Sequence, residues 1–555
     1  MTQGVWQATA AGLRPPHQAR SAGHERKARS WLLAWGCGLL MGLPQLAQAQ
    51  QLAGAPLCAA LGFLGWMGFA APWCHSGPLR LALLARSALS LALWQVLGQG
   101  WALAALPPLP AGGVWATALL GLLLLTLNLG PLLIGLAMLR QVVRRLIPAR
   151  PTLGASLALM LAWAAWAGLR EAALWGGDYG SLALGGLEWP WMRWTLPTLG
   201  SALSEGLSLG LAGLLGASLA AGLQGNARAG RALVAAGLAL GVLTALPTPQ
   251  WTTPEGATLQ VLAVQAPRDA RPWDLAQRDE ALAQLHDALR TAPTPAVLVS
   301  SETFLREPAP APQQAQERWR ELLEAVQQQP ATLLLGLPLR LRSEDGIGLG
   351  NGALLLSPGA YLGTGTAYAK QRLAPVGETL PVWVQQLLSR WFVLKERGGI
   401  LAAPPHMAEP LWAAGTVLGV SICHELAFSS ALRASAAQST WLVNLADDSW
   451  LPSPSYRLQV QRLARLRALE WGKPLLRVSQ DQASLLVGAG GEVLAQAPHG
   501  GRLNWAVAVQ PHSGSTPYAR LGAGATFAGA ALAAGLLALF TALAGRRPNR
   551  SESVA

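Results

Sequence analysis

Hydrophobic positions fall in two regimes along the chain. Long apolar runs occupy 31–48, 55–74, 80–106, 113–139, 152–169, 196–222 and 229–247, and one more lies at 522–545. Each approaches or exceeds the roughly 20 residues that a helix needs to cross the hydrocarbon of a bilayer. Between 251 and 515 the runs shorten to strand length: "TLQVLAV" (258–264), "AVLVSSE" (296–302), "TLLLGLPL" (332–339), "GALLLS" (352–357), "GTVLGVSIC" (415–423), "STWLVNLA" (439–446), "PLLRVSQ" (474–480) and "SLLVGA" (484–489). Helical patterns at 275–290, 313–328 and 454–471 alternate with them, which predicts an α/β domain whose sheets are covered by helices. The Pro-rich stretches Pro308–Pro312 and Pro404–Pro410 read as loops, because proline fixes φ and removes a donor.

Composition sharpens this division. Of 555 residues, 52% are hydrophobic and only 12% charged, about half the charge of an ordinary soluble domain. Acidic residues are almost absent from 30 to 250 and ordinary in number from 251 to 515. The net charge of +13 does not point to nucleic acid. The basic clusters flank apolar segments instead: "HERKAR" before the first run, Arg80 and Arg86 at the connection of the second to the third, "RQVVRRLIPAR" (140–150) after the fourth, "NARAGR" (226–231) joining the sixth to the seventh and "GRRPNR" (545–550) after the last. With eight spans all of these clusters fall on one side, which the positive-inside rule makes cytoplasmic. The expected layout is a cytoplasmic tail (1–30), a membrane domain of about seven helices (31–248), an outer domain (249–515), a last membrane helix (522–545) and a cytoplasmic tail (546–555). A rival reading takes 27–49 as a cleaved signal peptide, since it has a basic start and an Ala-x-Ala ending; the sidedness downstream is the same.

Three polar groups end apolar strand-like runs in the outer domain: Glu302, Lys370 and Cys423. A thiol needs a base to become a thiolate, and its attack on a carbonyl needs a cation or donors for the oxyanion. Glu302 raised by burial could be that base, and Lys370 that cation. Taken singly, a cysteine at a strand end is more often a small buried hydrophobe. His424, next in sequence, is expected to face away from the thiol. "GLSLG" (206–210) has the spacing of a serine-hydrolase elbow but lies in an apolar span, where small residues serve helix packing. The eight histidines are scattered, and neither a metal nor a cofactor is expected.

The order Glu, Lys, Cys, each after a strand, resembles the nitrilase (carbon–nitrogen hydrolase) superfamily. "YAKQRLAPVGETLP" (368–381) resembles its lysine motif and "GVSICHELAF" (419–428) its cysteine motif; "VNLADDSW" (443–450) and "RLARLRALEWGKPLLRVSQ" (462–480) resemble the segments that follow. With spans before the domain and one after it, the whole layout is similar to the apolipoprotein N-acyltransferase family within that superfamily. The resemblance implies an αββα sandwich, with Cys423 as nucleophile, Glu302 as base, Lys370 as oxyanion cation, Glu378 supporting both and Glu425 shaping the pocket. It also implies ping-pong transfer of an acyl chain from a phospholipid to the N-terminal amine of a lipoprotein, at the outer face of a bacterial inner membrane. Trp450 is a candidate for substrate contact.

The chain departs from the family's usual pattern. Ser300 and Ser301 precede the base where Trp-Pro is common, His424 follows the nucleophile where Tyr is common, and 449–452 reads Ser-Trp-Leu-Pro instead of Ala-Trp-Phe-Gly. The segment 163–185 is only loosely similar to the family's membrane loop. Two other readings therefore stand beside acyl transfer to lipoproteins. One is a membrane-anchored amidase or acyltransferase with another substrate, such as the nitrilase-like proteins associated with conjugal transfer. The other is a scaffold that binds lipid or a partner without turnover.

Overall fold

The computed structural model describes residues 16–75, 78–104, 113–148, 150–172, 177–266, 274–291, 296–359, 366–374, 378–379, 400–403, 407 and 409–544, except for 311, 316, 330, 344–345, 450, 452, 481–483 and 499–501. Trp450 and most of the 107–113 loop lie outside them, as do residues 1–15.

Helices stand at all eight long apolar runs: α1 (Pro16–Ala49), α2 (Ala55–Ala70), α3 (Leu81–Gln99), α4 (Gly113–Leu146), α5 (Pro151–Ala172), α6 (Met192–Leu223), α7 (Ala227–Ala245) and, after the α/β domain, the helix at Pro517–Ala544. Among the described residues, six are long and apolar enough to cross a membrane: those at 27–49, 55–74, 81–99, 151–172, 192–223 and 227–245. This is a membrane-helical domain followed by an α/β domain. The helices pack around buried tryptophans, among them Trp66, Trp94 and Trp163. Trp66 meets the other two edge-on, at 4.9 and 5.1 Å between ring centroids. The "GLSLG" segment lies within α6, and a Cβ on Gly206 would come within 2.4 Å of the Met160 carbonyl on α5. Close backbone approach between two helices accounts for the small residues there. α6 breaks at Gly200, where φ is +76°.

The α/β domain has two six-stranded sheets. Its strands are β1 (Thr252–Pro254), β2 (Leu259–Gln265), β3 (Ala296–Ser300), β4 (Ala331–Ser343), β5 (Gly346–Leu356), β6 (Thr366–Ala369), β7 (Leu411–Ala413), β8 (Thr416–Ile422), β9 (Trp441–Asp447), β10 (Leu475–Gln480), β11 (Leu485–Val487), β12 (Val493–Gln496), β13 (Leu503–Val509) and β14 (His512–Gly514). One sheet runs β13-β2-β3-β4-β5-β6 and the other β12-β11-β10-β9-β8-β7, while β1 pairs with β14. The helices are α8 (Leu275–Thr291), α9 (Glu317–Gln328), α10 (Ser429–Ala436), α11 (Pro454–Trp471) and α12 (Pro517–Ala544).

Side-chain alternation builds the layers. Val261, Ala263, Val297 and Val299 point between the sheets, where they meet Leu418, Val420, Ile422, Val443 and Leu445. Their neighbours Leu262, Val264 and Leu298 point the other way, onto Leu282, Leu285 and Leu289 of α8 and Trp319 and Leu322 of α9. Both faces of each central strand are therefore buried, and the runs read as continuously apolar in sequence. The second sheet is covered by α10 and α11, whose Leu432, Leu463 and Leu466 share one core with the membrane helices. The result is an αββα sandwich whose inner helix layer lies against the membrane domain.

The strand directions position the site. β2, β3 and β4 are mutually parallel, as are β8, β9 and β10. Their carboxyl ends carry Glu302, Cys423 and Asp447, the edge where open α/β sheets place ligands.

Candidate active site

Glu302 stands just after β3, on a turn held by the two serines before it. The Ser300 hydroxyl accepts the Gly336 N–H at 2.8 Å, and the Ser301 hydroxyl donates to Gln480 Oε1 at 2.7 Å. Gly336 cannot be larger, because a Cβ there would come within 2.1 Å of the Ser301 carbonyl. Thr303 has φ +45°, so Glu302 sits next to a strained residue.

Lys370 follows β6 and is 1% exposed. Its ammonium donates to Glu302 Oε1 at 3.0 Å and to Glu378 Oε1 at 2.9 Å. The Asn351 amide on β5 donates to both of the same carboxylates. The other oxygen of Glu302 accepts the Asp447 N–H at 2.8 Å, and that of Glu378 accepts the Ala374 N–H at 2.7 Å. Burial pushes the Glu302 carboxyl up to about 7; Lys370 opposes this, while Glu378 and Asp447 add to it. Burial also disfavours the Lys370 charge, but Glu302 and Glu378 outweigh it and hold the ammonium well above its ordinary range. For Glu378 burial is outweighed by Lys370 and the bonds from Ala374 and Asn351, so its carboxyl stays below the usual value. The pair of carboxylates is thereby split into one that titrates near neutrality and one that stays ionised. Lys370 spends two of its three N–H groups on carboxylates, leaving one without a partner among the described residues.

Cys423 opens a tight 3-10 turn after β8, at φ +49°, a conformation that is uncommon outside glycine. It is thus not on the extended segment that the alternation argument for His424 assumed. Burial pushes the thiol well above its ordinary value; the Glu302 charge adds to this and Lys370 opposes it. The structure therefore brings Glu302, Lys370 and Cys423 within electrostatic reach of one another. Burial favours the protonated form of the thiol, and the Glu302 charge acts in the same direction.

Glu425 ties two motifs together. One oxygen accepts the N–H groups of Gln371 and Arg372 at 2.6 and 3.1 Å, and the other accepts the Tyr368 hydroxyl and the Ile422 N–H at 2.8 and 2.7 Å. His424 stacks on Tyr179 of the membrane domain, with ring centroids 5.5 Å apart and planes 16° apart. Burial pushes its imidazole down to about 3, with Lys370 adding to the effect, so it is neutral at physiological pH.

Several residues around the site were not singled out by sequence. Asn351 bridges both carboxylates, and its signal was a lone amide inside an apolar strand. Asp448 and Arg477 form a buried pair at 2.5 Å beneath the turn, joined by Ser479 and Tyr456. Tyr179 arrives from the membrane domain. Arg467 of α11, which is wholly buried, donates to the carbonyls of Leu426 and Ala427 at 2.9 and 2.8 Å and to Asp178 at 2.6 Å, and it also pairs with Glu470. The Asp178 N–H donates to the Ala427 carbonyl at 2.8 Å. Gly177, at φ +59°, permits this approach, since a Cβ there would lie 2.7 Å from that carbonyl. The turn that begins at Cys423 is thus gripped from the membrane side.

The sandwich, the strand-end carboxylate and lysine, and the thiol on a strained turn define a carbon–nitrogen hydrolase domain of the nitrilase superfamily, and residues 260–511 match the carbon–nitrogen hydrolase family. Over longer stretches the chain is similar to proteins named apolipoprotein N-acyltransferase. The relative from Nitrosomonas europaea is 28% identical over 54% of this chain and 58% of its own length. That from Methylococcus capsulatus is 30% identical over 52% and 56%. That from Bordetella bronchiseptica is 28% identical over 72% and 76%. The chain thus spans somewhat over half the length of the first two and three quarters of the third.

Proposed function

We propose that this protein is a membrane-bound acyltransferase that moves an acyl chain from a phospholipid, through a thioester on Cys423, to the N-terminal diacylglyceryl-cysteine amine of lipoproteins. The observation that carries the chemistry is the contact of Lys370 with Glu302 and Glu378 at 3.0 and 2.9 Å beside a buried thiol. The names of the relatives favour a lipoprotein acceptor over the amide substrate of a conjugal-transfer-type protein. The eight-helix layout and the basic clusters support an inner-membrane position with the α/β domain on the periplasmic side, where both substrates are anchored.

In the first half-reaction Glu302 takes the thiol proton and Sγ attacks the ester carbonyl. The C–S bond forms, the ester C–O bond breaks, and Glu302 returns its proton to the departing lysophospholipid oxygen. Lys370 meets the negative charge on the carbonyl oxygen with its uncommitted N–H. In the second half-reaction the amine attacks the thioester; the C–N bond forms, the C–S bond breaks, and the amine proton passes through Glu302 back to sulfur. Glu378, held ionised, keeps Lys370 charged throughout. Tyr179 and His424, one from each domain, form the aromatic wall beside the thiol.

The test is the intact mass of the purified protein after incubation with phosphatidylethanolamine, for wild type and Cys423→Ala. A hydroxylamine-labile gain of one acyl chain in wild type alone is the expected result. Absence of the adduct, with Cys423 still alkylated by a small thiol reagent, would overturn acyl transfer from lipid.

A further inference from the structure

A cleft of about 340 Å³ lies between α5, α6 and α12, on membrane-facing elements and without Cys423 in its walls. Its apolar lining includes Ala165, Ala202, Ala523 and Phe527, and Glu171 and Tyr518 stand at its polar end. Two helix breaks open it. α6 turns at Gly200 and α12 at Gly522, with φ values of +76° and +77°. Both breaks are enforced by packing: a Cβ on Gly200 would come within 2.3 Å of the Tyr518 ring, and one on Gly522 within 2.4 Å of Arg433 Nη1. Ala165 and Ala523 are exposed, so the cleft is open on the side formed by α5 and α12.

We propose that this cleft holds one acyl chain of an intact phospholipid with an amine-bearing, zwitterionic headgroup, at a site separate from the acyl donor's. The walls argue for a chain in place of water: α5 and α6 are apolar enough to span a bilayer, and α12 adds Ala523 and Phe527. The rim argues for the headgroup. The exposed Arg433 guanidinium covers the α12 break and has no carboxylate partner among the described residues, so it suits a phosphate. The carboxylate of Glu171 accepts the Ser430 N–H at 2.6 Å and suits an ammonium. Ser430 lies in the first turn of α10, seven residues beyond Cys423, and the Ser201 N–H beside the cleft donates to Glu470, the partner of Arg467. A lipid in the cleft thus lies beside groups that contact Arg467 and α10, both next to the turn that begins at Cys423.

The test uses the full chain carrying Cys423→Ala, so that no acyl group is transferred and failure of the acyltransferase reading leaves the result intact. Reconstituted in nanodiscs with phosphatidylethanolamine bearing a diazirine in one chain, it is irradiated and the label mapped by mass spectrometry. Label is expected on 165–171, 199–202 and 518–527. It should fall by about tenfold when Ala165→Trp and Ala523→Trp fill the cleft, and unlabelled phosphatidylethanolamine should compete better than phosphatidylglycerol. Glu171→Gln should keep the label and erase that preference. Even labelling along the outer helix faces, indifferent to the tryptophans, would overturn the site. Equal competition by the two lipids with Glu171 intact would overturn the headgroup assignment.

Discussion

The two helix layers of the sandwich do the same architectural work in different surroundings. On the outer layer, α8 buries Leu282, Leu285 and Leu289 against one sheet and turns charged residues such as Asp287 and Arg290 outward. On the inner layer, α11 is buried on nearly every side, including Gln459, Arg462, Arg467 and Glu470. Its polar groups reach the membrane domain: Gln459 donates to the Gly98 carbonyl and accepts from the Gly180 N–H, and Arg465 pairs with Glu188 at 2.6 Å. An outer helix covers a core; α11 is a seam. The lesson is that the same αββα layer can be assigned to packing on one face and to coupling on the other by what lies beyond it.

The sharpest way to separate the layers is Arg467→Met. It leaves Asp178 and Glu470 as buried carboxylates without their cation, which should cost about 3–5 kcal/mol and loosen the turn that begins at Cys423. Thermal unfolding in detergent should show the loss, and thioester formation per folded molecule should fall as well. Leu285→Ala on α8 should cost about 2–5 kcal/mol by leaving a cavity. Thioester formation per folded molecule should stay at the wild-type level, and a parallel loss of activity would erase the distinction between the layers.

A smaller effect lies in the pH profile. Glu302 must be ionised to take the thiol proton, and its carboxyl titrates at about 7, so kcat/KM for thiol acylation should rise as the pH passes up through that value. Glu378→Gln removes a negative charge that raises the Glu302 carboxyl, so the acid limb should move to lower pH. A shift in the other direction would mean that Glu378 acts on the profile only through Lys370. Smallest of all, Arg318→Ala on the exposed face of α9 should leave both the melting temperature and the activity unchanged, since its ion pair with Glu321 is solvent-exposed.

What the sequence disclosed follows the same division. Glu302, Lys370 and Cys423 were visible because each ends an apolar run, and strand ends are where parallel sheets expose chemistry. The central strands were visible as continuous apolar segments because both their faces are buried. β1, β7, β12, β13 and β14 were not marked as strands: they are short or lie at edges, and β13 alternates between exposed and less exposed positions. Glu378 and Glu425 were carried by the resemblance to the nitrilase superfamily. Asn351, Tyr179 and Arg467 stayed hidden, because their partners are distant in sequence. In particular, 454–471 reads as one more covering helix until the membrane loop at 177–180 is seen against it. The serines before Glu302, departures from the family's usual pattern, have definite work in holding the base turn to Gly336 and Gln480.

The α/β domain begins and ends at one place. β1 pairs with β14 and β2 with β13, each antiparallel, and Lys473 clasps the pair through the carbonyls of His512 and Gly514 at 2.7 and 2.9 Å. A module whose two ends meet can be spliced into a loop between membrane helices without stretching its host. In this chain that closure lets the α/β domain leave the helix before it and enter the helix after it at one point, a double stem in place of two separate attachments.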